Sequence, residues 1–252
     1  MNTAKIRSSD LFYHPEPSLN KAGARGLRKV HERLNFLLRF CDCSQKTVAD
    51  LGCSGGFFSF ALASRAKRVI GFDANEALIA RNAEQAKARG IDNVEFRTAL
   101  ISPEFLSSEE MPQVDLTIFL SVLHHIIIPT ESYDYAAKDD RGVEHGRAIL
   151  KAVRSKTQTL AFEMGQSNES YAWAKRLPPM LPNPGVWIRD NLLVPAGFNH
   201  VRVFSPPVWH GVRGLKHRVM HGIVTRLPRM EGLARRWANY DTRDARYFFI
   251  AE

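Results

Sequence analysis

The sequence predicts an α/β protein: a doubly wound, mostly parallel sheet of seven strands, with a helical N-terminal arm and a basic insertion between the last two strands. Three observations lead there. From Thr47 to Ser121, short β-rich runs alternate with helix-forming runs, the pattern of consecutive βαβ units. A glycine cluster, Gly52, Gly55 and Gly56, falls where the first strand of that alternation must turn into a helix. A chain of 252 residues, 44% hydrophobic and 24% charged, is long enough for one large core, and it carries no internal repeat or low-complexity tract.

In chain order, residues 1–40 form an arm that carries Phe12-Tyr13-His14-Pro15 and then a helix-like run with Arg25, Arg28, Lys29 and Arg33. Strands are expected at Thr47 to Leu51, Arg68 to Phe72, Asn93 to Thr98 and Asp115 to Leu120. A helix from Phe57 to Ala66 follows the first strand. Another, Ala74 to Arg89, is rich in Ala, Glu, Lys and Arg, is anchored by Leu78 and Ile79, and is closed by Gly90. Gly146 to Lys156 reads as a helix with Ile149, Leu150 and Val153 on one side, and Thr157 to Met164 as a fifth strand. A helix from Trp187 to Leu193 ends near Pro195 and Gly197, before strands at Val201 to Phe204 and Arg246 to Ala251. The arm (1–40), the polar loop Pro129 to Glu144 and the stretch Pro206 to Asp244 break the alternation, and irregular stretches this long tend to carry function. Residues 41–252 are expected to form one domain, with the insertion at 206–244.

Composition narrows the setting. Met1 to Tyr13 has no apolar core for a signal peptide, and the apolar run Leu116 to Ile128 is interrupted by His124 and His125 and falls short of the ~20 residues of a spanning helix. Three cysteines, with no second pair to complete a zinc site with Cys41 and Cys43, suit a reducing cytoplasm. The net charge of +9 is concentrated at two places: residues 1–40 hold eight Lys/Arg against three Asp/Glu, and residues 206–240 hold seven against one. Such flanks suit an anionic partner, and equally a solvated basic face.

The chemistry concentrates at Asp50-Leu51-Gly52-Cys53-Ser54-Gly55-Gly56. Glycine in a strand-to-helix turn permits tight backbone geometry and lets a ligand reach amides that a Cβ would shield. The spacing is not the G-x-G-x-x-G of a dinucleotide site, and an acid two residues before the first glycine suits a ligand's ammonium group better than a diphosphate. About twenty residues on, the apolar strand Val69-Ile70-Gly71-Phe72 ends in Asp73, placed to accept from both hydroxyls of a ribose. Capping the helix that begins at Ala74 is the alternative role for that carboxylate.

These segments resemble the class I S-adenosylmethionine-dependent methyltransferases, whose first motif runs as in Val48 to Phe58 and whose acidic second motif matches Gly71-Phe72-Asp73. A later strand motif resembles Asp115 to His125, so the resemblance covers about Thr47 to Gly165. It implies a Rossmann-like fold and S-adenosylmethionine as cofactor. Asp50, Gly52, Cys53, Ser54, Gly55 and Gly56 would cradle the methionine end, Asp73 and Ala74 the ribose, and Leu120 and Ser121 would close the pocket. Many relatives place an acid after the third strand to meet the adenine amino group. Here the segment is Phe96-Arg97-Thr98-Ala99-Leu100, which leaves Thr98 and Ala99 to hold adenine through backbone and apolar contacts.

Methyl transfer to a hydroxyl needs the acceptor aligned behind the methyl carbon and a base for its proton. His124 and His125 stand just past the fourth strand, where ligands of open α/β sheets collect, and imidazole suits that base. The other reading has one ring packing on the sheet and the other touching cofactor. Glu163, Gln166, Tyr133, Tyr135 and His145 are further candidates to face the acceptor. The run Leu-Ser-Val-Leu-His-His lacks the Asn/Asp-Pro-Pro-aromatic sequence of enzymes that methylate amino groups of DNA bases. Nor is there a three-cysteine cluster for iron–sulfur radical chemistry, which leaves polar transfer to oxygen.

The arm followed by the glycine motif is similar to bacterial methyltransferases of O-antigen and other envelope glycans, and more loosely to those acting on wobble uridines of transfer RNA. The insertion interleaves Trp209, Val212, Leu215 and Val219 with Arg213, Lys216 and Arg218. As a basic amphipathic helix it would lie on an anionic membrane surface and meet a lipid-linked substrate there; it would equally bind RNA phosphates, with Trp209 or Trp237 stacking on a base, or simply pack on the sheet edge. The expectation is O-methylation of a sugar or glycan intermediate at the cytoplasmic membrane face. An RNA methyltransferase, a small-molecule methyltransferase and a non-catalytic cofactor-binding module are the alternatives.

Overall fold

The computed structural model describes residues 30–127, 141–169, 174–175, 177–205, 219–220, 222–224, 226–227, 230, 233 and 246–252. The expectations for 1–29, for Tyr133 and Tyr135, and for most of the insertion, Trp209 and Trp237 included, lie outside these residues. Seven strands form one sheet: β1 (Thr47–Leu51), β2 (Arg68–Asp73), β3 (Val94–Thr98), β4 (Val114–Leu120), β5 (Thr157–Glu163), β6 (Val201–Phe204) and β7 (Phe248–Ala251). Their order is β3-β2-β1-β4-β5-β7-β6. β1 runs parallel to β2 and β4, β2 runs parallel to β3, and β7 returns antiparallel to β6, so the sheet is mixed and mostly parallel.

The central strands show why the sequence alternation worked. β1 is flanked on both sides, and Val48, Ala49 and Leu51 are fully sealed, so it reads as a continuous apolar run in which Asp50 is the exception. α1 (Val30–Phe40) precedes it, and α2 (Phe57–Ala63) follows the glycine turn with Phe57, Phe58 and Phe60 all buried. α3 (Glu76–Ala88) is capped by Asn75, whose side chain accepts from the amides of Ala77 and Leu78, and it ends before Gly90 at φ 63°.

Several helices depart from expectation for local reasons. α4 (Pro103–Ser107) is a single turn set by Ser102 as cap and Pro103 at its first position. α5 (Leu123–Ile126) contains both histidines of the fourth-strand motif. α6 (Arg141–Lys156) begins before Gly146, because that glycine lies inside the helix: a Cβ there would stand 2.9 Å from Ile127 Cδ1. α7 (Pro184–Ile188) starts ahead of Trp187, with Asn183 capping and Pro184 at its first position, and runs into a π-helical turn over Arg189–Leu193.

The chain resolves into two compact units. One lies within Met1–Phe119 and Ser155–Ala161, the other within Leu120–Arg154 and Phe162–Glu252. Each carries its own set of candidate site residues.

Candidate active site

In the first unit, the turn from β1 to α2 is anchored on β2. The amides of Gly52 and Cys53 both donate to the Phe72 carbonyl, at 2.8 and 2.9 Å. Alternate residues of the turn are left-handed: Gly52 at φ 75°, Ser54 at φ 49° and Gly56 at φ 77°. Glycine adopts that conformation without penalty, whereas a residue with a Cβ gives up about 1–2 kcal/mol. A side chain at Gly56 would also stand 2.8 Å from Phe60 Cε2 and 3.2 Å from Phe96 Cζ. Gly55 and Cys53 are buried, and burial beside Asp50 and Asp73 holds the Cys53 thiol well above its ordinary range, so it stays protonated.

Two carboxylates flank this turn. Asp50 is sealed within the unit and accepts from the Ser59 hydroxyl of α2 at 2.6 Å. Burial pushes its carboxyl up to about 6; Ser59 opposes the shift and the neighbouring Asp73 adds to it. Asp73 is held by two amides, Ser54 on Oδ2 and Asn75 on Oδ1, both at 2.9 Å. Asn75, not Asp73, caps α3, so the capping alternative for Asp73 does not apply. Each Asp73 oxygen keeps a second lone pair for a ligand hydroxyl. Behind the turn, Asn82 donates to the Ser54 carbonyl at 2.7 Å from a fully buried position on α3.

At the end of β3, Thr98 is exposed and stands in register with Asp73. The Ala99 amide is committed to the Asp73 carbonyl at 2.9 Å, so it is not available to a ligand. The next residue, Leu100, is 70% exposed and was not among the expected site residues. Ala74 is exposed beside Asp73. α1 packs against the first turn of α2: His31 meets Phe57 edge-on at 5.2 Å and the Arg33 guanidinium lies over Phe58 at 5.8 Å. Arg33 is thereby buried and adds nothing to an exposed basic face.

In the second unit, Leu120 is buried at the end of β4 and Ser121 follows in a left-handed conformation, φ 64°. The Ser121 amide and hydroxyl both donate to Glu163, at 2.7 Å to its carbonyl and 2.8 Å to Oε1. Arg246, 1% exposed, donates to Ser121 Oγ at 3.0 Å and forks onto both oxygens of Glu169 at 2.8 and 2.6 Å. Burial raises the Glu169 carboxyl even against that guanidinium. Glu163 is thus engaged in a buried ionic cluster, and neither Arg246 nor Glu169 was foreseen.

The two histidines divide. His124 is buried, and its Nδ1 accepts from the Gly165 amide at 3.0 Å, which places the proton of the neutral ring on Nε2. His125 is exposed, its ring 4.1 Å from that of His124. Gln166 is buried and its amide donates to Glu169, while His145 is half-buried on α6. In the insertion, Met220 and Val224 are buried whereas Val219 and Leu227 are exposed.

The turn lies on a mostly parallel sheet and is flanked by two carboxylates, and residues 42–176, which contain it, match the family described as "Methyltransferase domain". The chain belongs to that family, and its cofactor is S-adenosylmethionine. The residues present fit that cofactor: a sealed carboxyl held near 6 by burial is stabilised in its ionised form by a fixed positive charge, and Asp73 has acceptor sites to spare.

The chain is similar to the O-antigen chain terminator bifunctional methyltransferase/kinase WbdD of Escherichia coli, at 28% identity over 178 residues, 67% of this chain and 22% of that protein. It is also 32% identical over 107 residues to the ubiquinone biosynthesis O-methyltransferase of Acinetobacter baumannii (strain AYE), 40% of this chain and 44% of that one. A solved structure of WbdD superposes with a TM-score of 0.62 at 20% identity, covering 98% of this chain and 41% of the other, a likeness of fold. The chain therefore spans less than half the length of these relatives.

Proposed function

We propose that this protein O-methylates a sugar or glycan intermediate at the cytoplasmic face of a membrane. The observation that carries the reading is the likeness across 67% of the chain to WbdD, a protein named for terminating O-antigen chains. The basic excess at 1–40 and 206–240 suits an anionic membrane or a lipid-linked substrate. No helix among the described residues is long and apolar enough to cross a membrane.

S-adenosylmethionine supplies a methyl carbon activated by its bond to a positively charged sulfur. In this reading Asp50 and the Gly52–Gly56 backbone hold the methionine end, and Asp73 with Ala74 the ribose. Thr98, the methyl of Ala99 and above all the exposed Leu100 line the adenine. His125 would take the acceptor's hydroxyl proton as the general base. His125 is preferred to His124 because the Nδ1 lone pair of His124 already serves the Gly165 amide.

A second reading, transfer to the hydroxyl of a small molecule, is favoured by the 32% identity to the ubiquinone biosynthesis O-methyltransferase. The two separate when the protein is incubated with isotopically labelled S-adenosylmethionine and, in parallel, with an envelope glycolipid fraction, a small-molecule extract and total RNA. Label in the glycolipid is the expected result. Label confined to the small molecules supports the second reading, and label confined to RNA removes both.

A further inference from the structure

We propose that Asn82 is a positioning residue for ribose recognition: it holds Ser54 in the left-handed conformation that delivers the Ser54 amide to the Asp73 carboxylate. The inference rests on the reading of Asp73 as the ribose contact.

Three positions of the turn, 52, 54 and 56, share a positive φ, and the middle one is a serine. The turn closes on itself, with the Gly56 amide donating to the Cys53 carbonyl at 2.9 Å, but the Ser54 Cβ opposes the conformation, so a tie from outside the turn adds to what favours it. Asn82 Nδ2 donates to the Ser54 carbonyl at 2.7 Å, and the amide of the same residue donates to Asp73 Oδ2 at 2.9 Å. Both ends of the Ser54 backbone are therefore tied, one to α3 and one to the end of β2.

The placement of Asn82 supports a dedicated role. It lies on the buried face of α3 with Leu78, Ile79 and Ala86, where leucine would serve both helix propensity and packing better. It is fully buried, and Asn75 rather than Asn82 caps the helix. The short hydrogen bond to Ser54, with a longer one from Arg81 Nη2 to Asn82 Oδ1 at 3.4 Å, offsets a polar side chain in that stripe. With the bond to Ser54 removed, the Ser54 carbonyl loses its tie to α3, and the plane carrying the Ser54 amide is held only by the Gly56 amide on the Cys53 carbonyl and by Asp73 itself, while Asn75 still holds Oδ1. The Ser54–Asp73 bond weakens, and the carboxylate is less firmly kept in its ribose-accepting orientation.

The test is calorimetric titration with S-adenosylhomocysteine and its 2′-deoxyribose analogue. The wild type should prefer the ribose by about tenfold or more, the scale of a hydrogen bond to a charged acceptor, and Asp73→Ala should erase that preference. Asn82→Ala and Asn82→Leu should shrink it to within about threefold, on the same scale. Comparing two ligands on one preparation cancels any change in folded fraction, and a side chain that only fills space would weaken both ligands alike. Ser54→Gly added to Asn82→Ala should recover much of the preference, since glycine takes the left-handed conformation unaided. A wild type without preference overturns the Asp73 reading and this inference with it. If the wild type and Asp73→Ala behave as stated but Asn82→Ala keeps the full preference, Asp73 stands and the role of Asn82 falls.

Discussion

The Ser59 hydroxyl reaches Asp50 Oδ2 at 2.6 Å, with both side chains closed off from solvent. This bond stabilises the ionised carboxylate against the burial that holds its midpoint near 6. Ser59→Ala should raise that midpoint further and weaken S-adenosylmethionine binding at neutral pH by about tenfold. Ser59→Thr, which keeps the hydroxyl, should restore both. Titration calorimetry across the mildly acidic range reads the shift, and an unmoved midpoint would mean that the hydroxyl does not govern ionisation.

Asp50 also links stability to pH. Its carboxyl is raised in the folded state from an ordinary value of 3.8 to about 6, so the folded chain holds a proton that the unfolded chain has released. The stabilisation it provides is complete below the ordinary value and is lost as pH rises through about 6. Above that, ionised Asp50 costs about 3 kcal/mol. Asp50→Asn should therefore melt higher than wild type at neutral pH, with the gap closing near pH 4, while binding the cofactor poorly. Thermal melts of both proteins across that range settle it.

Gly56 and Gly90 both have positive φ, yet their surroundings differ. Gly90→Ala meets nothing within 4 Å and should cost only the left-handed penalty of about 1 kcal/mol. Gly56→Ala adds a clash with the Phe60 and Phe96 rings and should cost at least about twice as much, in line with overpacking in other cores. Urea unfolding of the pair measures the difference, and equal losses would mean that the two rings give way freely.

Arg246→Met leaves Glu169 buried without its guanidinium, a loss on the order of 3–5 kcal/mol. The double variant Arg246→Met with Glu169→Met replaces that pair with apolar volume and should recover part of it, since Glu163, which Arg246 Nη1 also meets at 3.4 Å, stays buried. Denaturant midpoints for the two variants are the measurement. A double variant no more stable than the single would show that the fork onto Glu169 is not the main contribution of Arg246.

The histidines should respond differently. His125→Ala is expected to lower turnover about a hundredfold or more with the cofactor Kd nearly unchanged, as for a lost general base. His124→Ala strips the acceptor from the buried Gly165 amide and should instead cost about 1–3 kcal/mol of stability. Initial rates on the fraction that takes up label, together with melting curves, distinguish these outcomes; wild-type turnover in His125→Ala would place the base elsewhere.

Much of the sheet was legible: β1 and β6 fall at the expected residues and β2, β3, β4 and β5 within one, the central β1 and β4 because enclosure on both sides makes them continuous apolar runs. The cofactor motif was legible because its parts are close in sequence, Asp50 and Asp73 bracketing a single turn and helix. Some helix starts were not. α4 depends on one cap and one proline, and α6 begins five residues before the expected Gly146, a position where a Cβ would crowd Ile127. The Arg246 cluster was out of reach for a different reason, since its partners Glu169 and Ser121 lie 77 and 125 residues away in the chain. Asn82 and Ser59 left a readable trace, each a polar residue inside an apolar stripe. What they hold is visible only once the turn is folded.

Phe204 and Phe248 are register partners across β6 and β7, so the polypeptide leaves the sheet and rejoins it at one spot. That makes the intervening excursion removable in principle: a tight reverse turn joining the two strands would keep the ladder intact. Such an excision has one fixed boundary, because Arg246 belongs to the far bank. A graft that discards it strands two acidic groups in the interior, whereas one that retains it separates what the basic excursion contributes from what the sheet requires.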